Sequence, residues 1–337
     1  MSSNTLETTA VLTLTSLTSL FNRYLSIVIL LFGSIGNILN YLAFSDRVLR
    51  TNPCSFLFLT LSITNLITLM SGVTVRLLNG WLLDLTDTVN WLCKIRIFIL
   101  FTCRTITSWL IMLATYDRWL LTSLDIHRRQ MSTLKNAQRG LFIISIVSCF
   151  AYVQVFYCYE ANLTNNTPLK CYGHTAWCRL LMDSEFALIS TLIPWTFMFI
   201  FGLLTIFNLR QVAVHRSQFV TITNISDGSK SSQTTRRLQK IDQSLLRMLC
   251  TQVVLLVLFS LPQIITSLYL NGTQFQLKTS LQTTIEELVL NLSFLLIYIT
   301  NGMPFFIYTL TGGDVFRRAL KHAIRDLFRK IIKCCIV

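Results

Sequence analysis

The stretch IFILFTCRTITSWLIMLATY, Ile97–Tyr116, carries one charged residue, Arg104, in twenty positions. A bilayer core about 30 Å thick takes roughly 20 helical residues, and a charge near its centre costs several kcal/mol. The stretch therefore reads as a membrane span with one polar exception. Working outward, six more windows are free of charge: Tyr24–Ser45, Thr51–Val75, Gly140–Tyr159, Phe186–Leu209, Met248–Leu277 and Leu288–Gly313. The seven windows hold about half of the 337 residues, so no large soluble domain remains. Backbone groups in lipid must be bonded within their own segment, so each window is a helix. The short alternating segments of a membrane barrel do not occur. The expected fold class is an all-α membrane protein, a seven-transmembrane helix bundle.

Composition agrees. The chain is 53% hydrophobic and only 13% charged, against about a quarter charged for a soluble domain. A net charge of +14 would suit a nucleic-acid partner, but its distribution argues otherwise. One set of connections and the C-terminal tail carry 21 of the 29 basic residues and 7 of the 15 acids. The opposite set, taken with Arg104, balances at 8 basic and 8 acidic residues. Basic loops face the cytoplasm. The charge therefore predicts a multi-pass plasma-membrane protein with its N-terminus outside and its C-terminus in the cytoplasm. No nucleic acid is expected as a partner.

The first 20 residues are rich in Thr and Ser and lack a basic start and a small-residue cleavage site. A cleaved signal peptide is therefore not expected. The chain divides into an extracellular segment 1–22, a bundle 23–311, and an amphipathic helix and cytoplasmic tail 312–337. Sequons at Asn162, Asn165 and Asn271 fall in the predicted outer loops and are candidate glycosylation sites. Those at Asn224 and Asn291 fall inside the cell or within a span and read as chance matches. Ten Cys occur without a CxxC pair, which does not suggest a metal site, and no cofactor is expected. The four His lie outside the windows, and no catalytic constellation is visible, so an enzyme is not expected.

Several residues in order along the chain resemble the rhodopsin-like class of G-protein-coupled receptors. Asp117-Arg118-Trp119 ends the third span and matches the family's Asp-Arg-Tyr, with Cys93 placed 25 residues before Arg118. That separation rises about 37 Å as a helix, enough to cross the bilayer. Gly36-Asn37, Leu61-Ser62, Pro194 and Pro262 fall at family positions of the first, second, fifth and sixth spans. Met303-Pro304-Phe305-Phe306-Ile307-Tyr308 is a variant of Asn-Pro-x-x-Tyr. There are departures. Asn65 stands where the family has an Asp that holds sodium, and Ser260 where a switch Trp is common. Met303 replaces the Asn before the last proline, Gly202 stands where the fifth span often has Tyr, and the fourth span lacks its Trp.

The resemblance implies a heterotrimeric G protein as partner. Asp117 would hold Arg118 at rest, and freed Arg118, with Trp119 and Ile126, would meet the G protein. It also implies a disulfide from Cys93 to the loop between the fourth and fifth spans. Cys171 is the expected partner, with a Cys171–Cys178 pair as the alternative. An extracellular ligand would bind among the outer helix halves. Arg104 is the leading contact, because an intramembrane Arg facing the interior is a site hypothesis by default. Arg76, Arg96, Glu286 and Glu287 complete the candidate polar pocket. Leu100 stands where amine receptors carry an Asp, and the seventh span has no Lys for a retinal Schiff base. A peptide or small polar ligand is therefore expected, and the overall look is similar to invertebrate neuropeptide receptors of the FMRFamide type.

In the tail, Phe316, Leu320, Ala323, Ile324, Leu327, Phe328 and Ile331 repeat at steps of three and four among Arg and Lys. This predicts an interfacial amphipathic helix with a basic face for anionic lipids. Cys334 and Cys335 at its end are candidate palmitoylation sites. Two other readings stay open at this level. A transporter or channel would show paired half-helices with midplane ion ligands, which are not seen. A divergent receptor-like protein that no longer signals would explain the altered positions.

Overall fold

The computed structural model describes residues 2–46, 49–81, 86, 88–163, 171–220, 229–273, 276 and 278–335. Side chains of 2–5, 212–220, 229–240, 315, 327–328 and 330–335 lie outside that description, and Asn165 and Asn224 lie outside the described residues altogether. Among the described residues, seven helices are long and apolar enough to cross a membrane. They are α1 (Leu6–Phe44), α2 (Pro53–Gly80), α3 (Asn90–Thr122), α4 (Leu134–Cys158), α5 (Ala176–Gln211), α6 (Ile241–Gly272) and α7 (Ser280–Gly302). After a break at Met303 come a short α8 (Pro304–Thr311) and α9 (Gly313–Cys335). The fold is a seven-helix bundle.

The starts of these helices follow from local chemistry. Asn52, Thr133, Thr175 and Thr279 cap α2, α4, α5 and α7, each accepting from a backbone N–H of the first turn. Pro53 occupies the first turn of α2, where its missing N–H costs nothing. Gly313 adopts φ +60°, the left-handed turn that separates α8 from α9.

Apolar side chains sort into two environments. Phe32, Ile35, Phe142, Val147, Phe199, Phe207 and Ile265 stand exposed on the outward faces, as lipid-facing positions should. Inside, Phe44, Phe58, Tyr308 and Phe316 cluster with ring centroids 5.1 to 5.9 Å apart. Phe316 thereby anchors α9 under the bundle, while Arg317, Arg318, Lys321 and Arg325 stay exposed. The amphipathic tail helix expected from spacing is present.

The helices α1 and α7 touch through glycines. A Cβ at Gly302 would lie 3.1 Å from the Cα of Gly33, and one at Gly36 would lie 2.9 Å from Phe305 Cβ. Asn37 bonds across the same seam, donating to the Gly33 carbonyl at 2.8 Å and the Asn301 carbonyl at 3.0 Å. Gly202 has nothing within 4 Å of its would-be Cβ and faces outward.

At the end of the bundle opposite Arg118, Tyr159–Glu160 pairs antiparallel with Tyr172–Gly173. Two disulfides fasten this hairpin: Cys93–Cys171 to α3 and Cys158–Cys178 to the start of α5. The first is the pairing expected by resemblance. The second corrects the alternative: Cys178 joins Cys158, not Cys171. Trp81, Trp91 and Trp177 stand exposed at this end, as interfacial aromatic residues do.

The first helix is longer than its charge-free window. Helical backbone runs from Ser2 to Phe44, with a π-helical turn at Phe21–Leu25. The segment 1–22 was expected only as an outer segment without assigned structure. Arg23 does not end the helix, because its side chain is satisfied elsewhere. Its Nε donates to the Gly80 carbonyl, and its guanidinium lies 5.1 Å from the Trp81 ring centroid.

Candidate functional site

Two polar clusters lie inside the bundle. The first closes the end of α3. Arg118 is only 2% exposed and donates to Asp117 Oδ2 at 2.7 Å and to Asp242 Oδ1 of α6 at 2.8 Å. Asn52, before α2, adds an acceptor to Arg118 at 3.3 Å and donates to Asp242 at 3.3 Å. The second oxygen of Asp117 accepts from Ser132 at 2.6 Å. Arg118 thus joins α2, α3 and α6 through charge-assisted bonds, which are stronger than neutral ones. Two carboxylates offset the cost of burying one guanidinium.

The surroundings of this clamp are apolar and tight. Trp119 packs on Tyr116 and Phe201 with centroids 5.6 and 5.3 Å away, and the Arg128 guanidinium lies 5.4 Å from its ring. Ile126 opens a short helix Ile126–Met131 and is 63% exposed. It stands beyond the clamp as a bare apolar side chain. On the other side, Tyr308 donates to Gln252 Oε1 at 2.6 Å, and Ser244 donates to the Gly312 carbonyl. These bonds hold α6 against α8 and the turn after it.

The second cluster lies higher in the bundle around Arg104, which is 7% exposed. Its Nη2 donates to Gln263 Oε1 at 2.6 Å, and its guanidinium lies 4.4 Å from the Phe186 ring centroid. A cavity of about 30 Å³ adjoins it, lined by Thr107, Ser108, Ser190, Ser260 and Asn301 among others. Ser260, at the position of the family's Trp, is one of its walls. A π-helical turn, Phe186–Leu192, shapes the α5 side. It leaves the Ile189 carbonyl to accept from Trp109 Nε1 at 2.9 Å. Such turns concentrate at functional sites.

The other expected pocket residues are distributed differently. Arg76 is buried against α7, donating to Asn291 Oδ1, with the Phe294 centroid 4.5 Å from its guanidinium. Arg96 donates to Thr86 Oγ1 at 2.8 Å and to the Ser71 carbonyl at 3.3 Å. Glu286 pairs with Lys278 at 2.6 Å rather than with an arginine. Glu287 is half-buried beside it on α7. Among the described residues, no hydrogen bond or ion pair joins any two of the five. Arg104 lines the cavity, and the other four are not among its lining residues.

Asn65 accepts weakly from Thr107 at 3.4 Å, a neutral contact where the family carries a charge. Asn271 is half-buried and bonds Asp183 of α5, and Asn162 donates to the Thr88 carbonyl at 3.2 Å. The side chains of Cys334 and Cys335 lie outside the described residues, although the helix runs through Cys335.

Sequence reasoning did not reach Asp242, Asn52, Gln263 or Asn301. For Asp242 a signal existed: an acid at the basic end of the sixth span, 20 residues before Pro262. No curated protein matches the chain. The family model for the 7 transmembrane receptor (rhodopsin family) matches residues 36–308, and the chain belongs to that family of G-protein-coupled receptors.

Proposed function

We infer that the protein is a plasma-membrane receptor for an extracellular peptide, working as a ligand-gated switch on a heterotrimeric G protein. The observation that carries this reading is the clamp of Arg118 on Asp117 and Asp242. It ties α3 to α6 at the end with the basic loops. A ligand that binds the open state more tightly shifts the population toward it. Parting of α3 and α6 then breaks the Asp242 contact and releases Arg118 from α6. Arg118, Trp119 and exposed Ile126 form the coupling surface. The N-terminal segment and the disulfide-bound hairpin face outside, where disulfides persist. Asn162, Asn165 and Asn271 are proposed as glycan acceptors there, and Cys334 and Cys335 as palmitoylation sites on the inner leaflet.

The ligand enters at the hairpin end and reaches toward Arg104, with Arg76, Arg96, Glu286 and Glu287 around its path. A peptide of the FMRFamide type is the ligand class proposed. The test is to express the chain in cells, apply a library of amidated neuropeptides and record second messengers. A response lost in Arg118→Ala at unchanged surface expression supports the reading. A ligand-evoked current that persists in that variant contradicts it.

A further inference from the structure

We propose that the cavity beside Arg104 is a binding site for one compact monovalent anion, a halide ion or the carboxylate head of a ligand. Among its thirteen lining residues there is one cation and no Asp or Glu. The cation is Arg104, buried, with the neutral Gln263 as its hydrogen-bond partner and the Phe186 ring beneath it. Among the described residues no carboxylate pairs with it. A buried, permanently charged guanidinium without a counter-ion is costly. A water molecule would fill the space without offsetting the charge. A bound anion does both.

The remaining walls offer donors. Asn301 lines the cavity, is 5% exposed, and its buried Nδ2 has no partner among the described residues. The hydroxyls of Ser108 and Ser190 also line it and donate no hydrogen bond among the described residues. A second buried guanidinium, Arg76, lies within electrostatic range of Arg104. Among the described residues it likewise meets the neutral Asn291 and aromatic rings, and its Nε has no partner there. The field in the cavity is therefore positive. A volume of about 30 Å³ holds one halide or one carboxylate head, with no room for an extended polyanion. Position 65, an Asn bonded to Thr107 on the cavity wall, supplies no charge to attract a cation instead.

Only the carboxylate source rests on the ligand reading above, and it requires an acidic side chain in the peptide, because an amidated terminus carries no carboxylate; the halide source stands without it. The test uses the full-length receptor in lipid nanodiscs, with no G protein present. Thermal unfolding is followed at constant ionic strength as sodium gluconate, too bulky for the cavity, is replaced by chloride, bromide or acetate. The expected result is a saturable rise in Tm with chloride and bromide, or with acetate, in the millimolar range. A rise with the halides assigns the ion itself, and a rise with acetate alone assigns the ligand's carboxylate. Arg104→Gln abolishes the rise. Asn301→Leu, which keeps the charge and loses a donor, weakens the apparent affinity by about tenfold, the worth of one hydrogen bond to a charged group. Identical unfolding in all four salts overturns the proposal. So does a rise that survives undiminished in both variants. Neither outcome bears on G-protein coupling, which is read separately.

Discussion

Arg118 of α3 meets Asp242 of α6 at 2.8 Å, across the seam between the two helices at the basic end of the bundle. The contact is neighbour to a second one, Arg118 to Asp117 at 2.7 Å within α3. The two carboxylates differ in consequence. Asp117 travels with Arg118, so their pairing survives any movement of α6. Asp242 does not, and its pairing measures whether the two helices are together.

Removing Asp242 should therefore loosen the closed form while leaving Arg118 paired. Asp242 is about one-third exposed as a side chain, so solvent screens part of its contribution. Asp242→Ala is expected to cost about 1–2 kcal/mol, which lowers Tm by a few degrees in a chain of this size. Asp117→Ala leaves a nearly buried guanidinium with one partner fewer and should cost more, about 3 kcal/mol. Thermal unfolding of the two variants in nanodiscs checks the order.

The glycine seam predicts an asymmetric pair of substitutions. Gly302→Val forces a side chain against the Gly33 backbone, which cannot rotate away. Overpacking of this kind costs about 1–3 kcal/mol. Gly202→Ala meets nothing and improves helix propensity, so it should be neutral or stabilise by up to about 1 kcal/mol. Comparison of their Tm values with wild type tests this reading of α1 against α7.

The second disulfide is a chemical prediction. Non-reducing digestion should release one peptide pair joined through Cys158 and Cys178 and another through Cys93 and Cys171. The Cys158→Ser/Cys178→Ser double variant loses a bridge that closes 20 residues, worth about 3 kcal/mol. Surface expression should fall accordingly. A digest that joins Cys171 to Cys178 would contradict the hairpin geometry.

Tyr308 gives a finer test. Tyr308→Phe removes the bond to Gln252 and leaves that amide short of a partner in the core. A loss of about 1–3 kcal/mol is expected. Tyr308→Phe/Gln252→Leu should recover part of it, because both polar ends are then gone. Thermal unfolding of the single and double variants measures the difference.

The seven spans were legible in the sequence because burying charge in lipid is costly enough to leave long uncharged windows. Their ends were not. Charge marks where a window stops, and Arg23 shows that a helix can continue past one when a neighbouring carbonyl and ring receive it. Arg104 and Arg118 stood out as charges in unusual places. Their partners did not: Gln263 and Asn301 look like ordinary polar residues in a span, and Asp242 like one charge among many in a basic loop. Cys93–Cys171 followed from a family resemblance. Cys158–Cys178 did not, because Cys158, Cys171 and Cys178 all lie in or beside the loop between the fourth and fifth spans and spacing alone does not pair them. The Lys278–Glu286 pair was not legible either, because Lys278 lies outside the spans and reads as one more loop charge.

The most direct measurement of the central claim is basal nucleotide exchange on heterotrimeric G proteins in membranes holding wild type, Asp242→Ala, or Asp242→Ala/Arg118→Ala. With no ligand added, loss of about 1.4 kcal/mol from the closed form raises the open population about tenfold. Exchange should rise toward that factor in Asp242→Ala and return to background in the double variant at equal surface expression. Exchange at background in all three, with any G-protein class, would contradict the account of Arg118 and Asp242 as the switch.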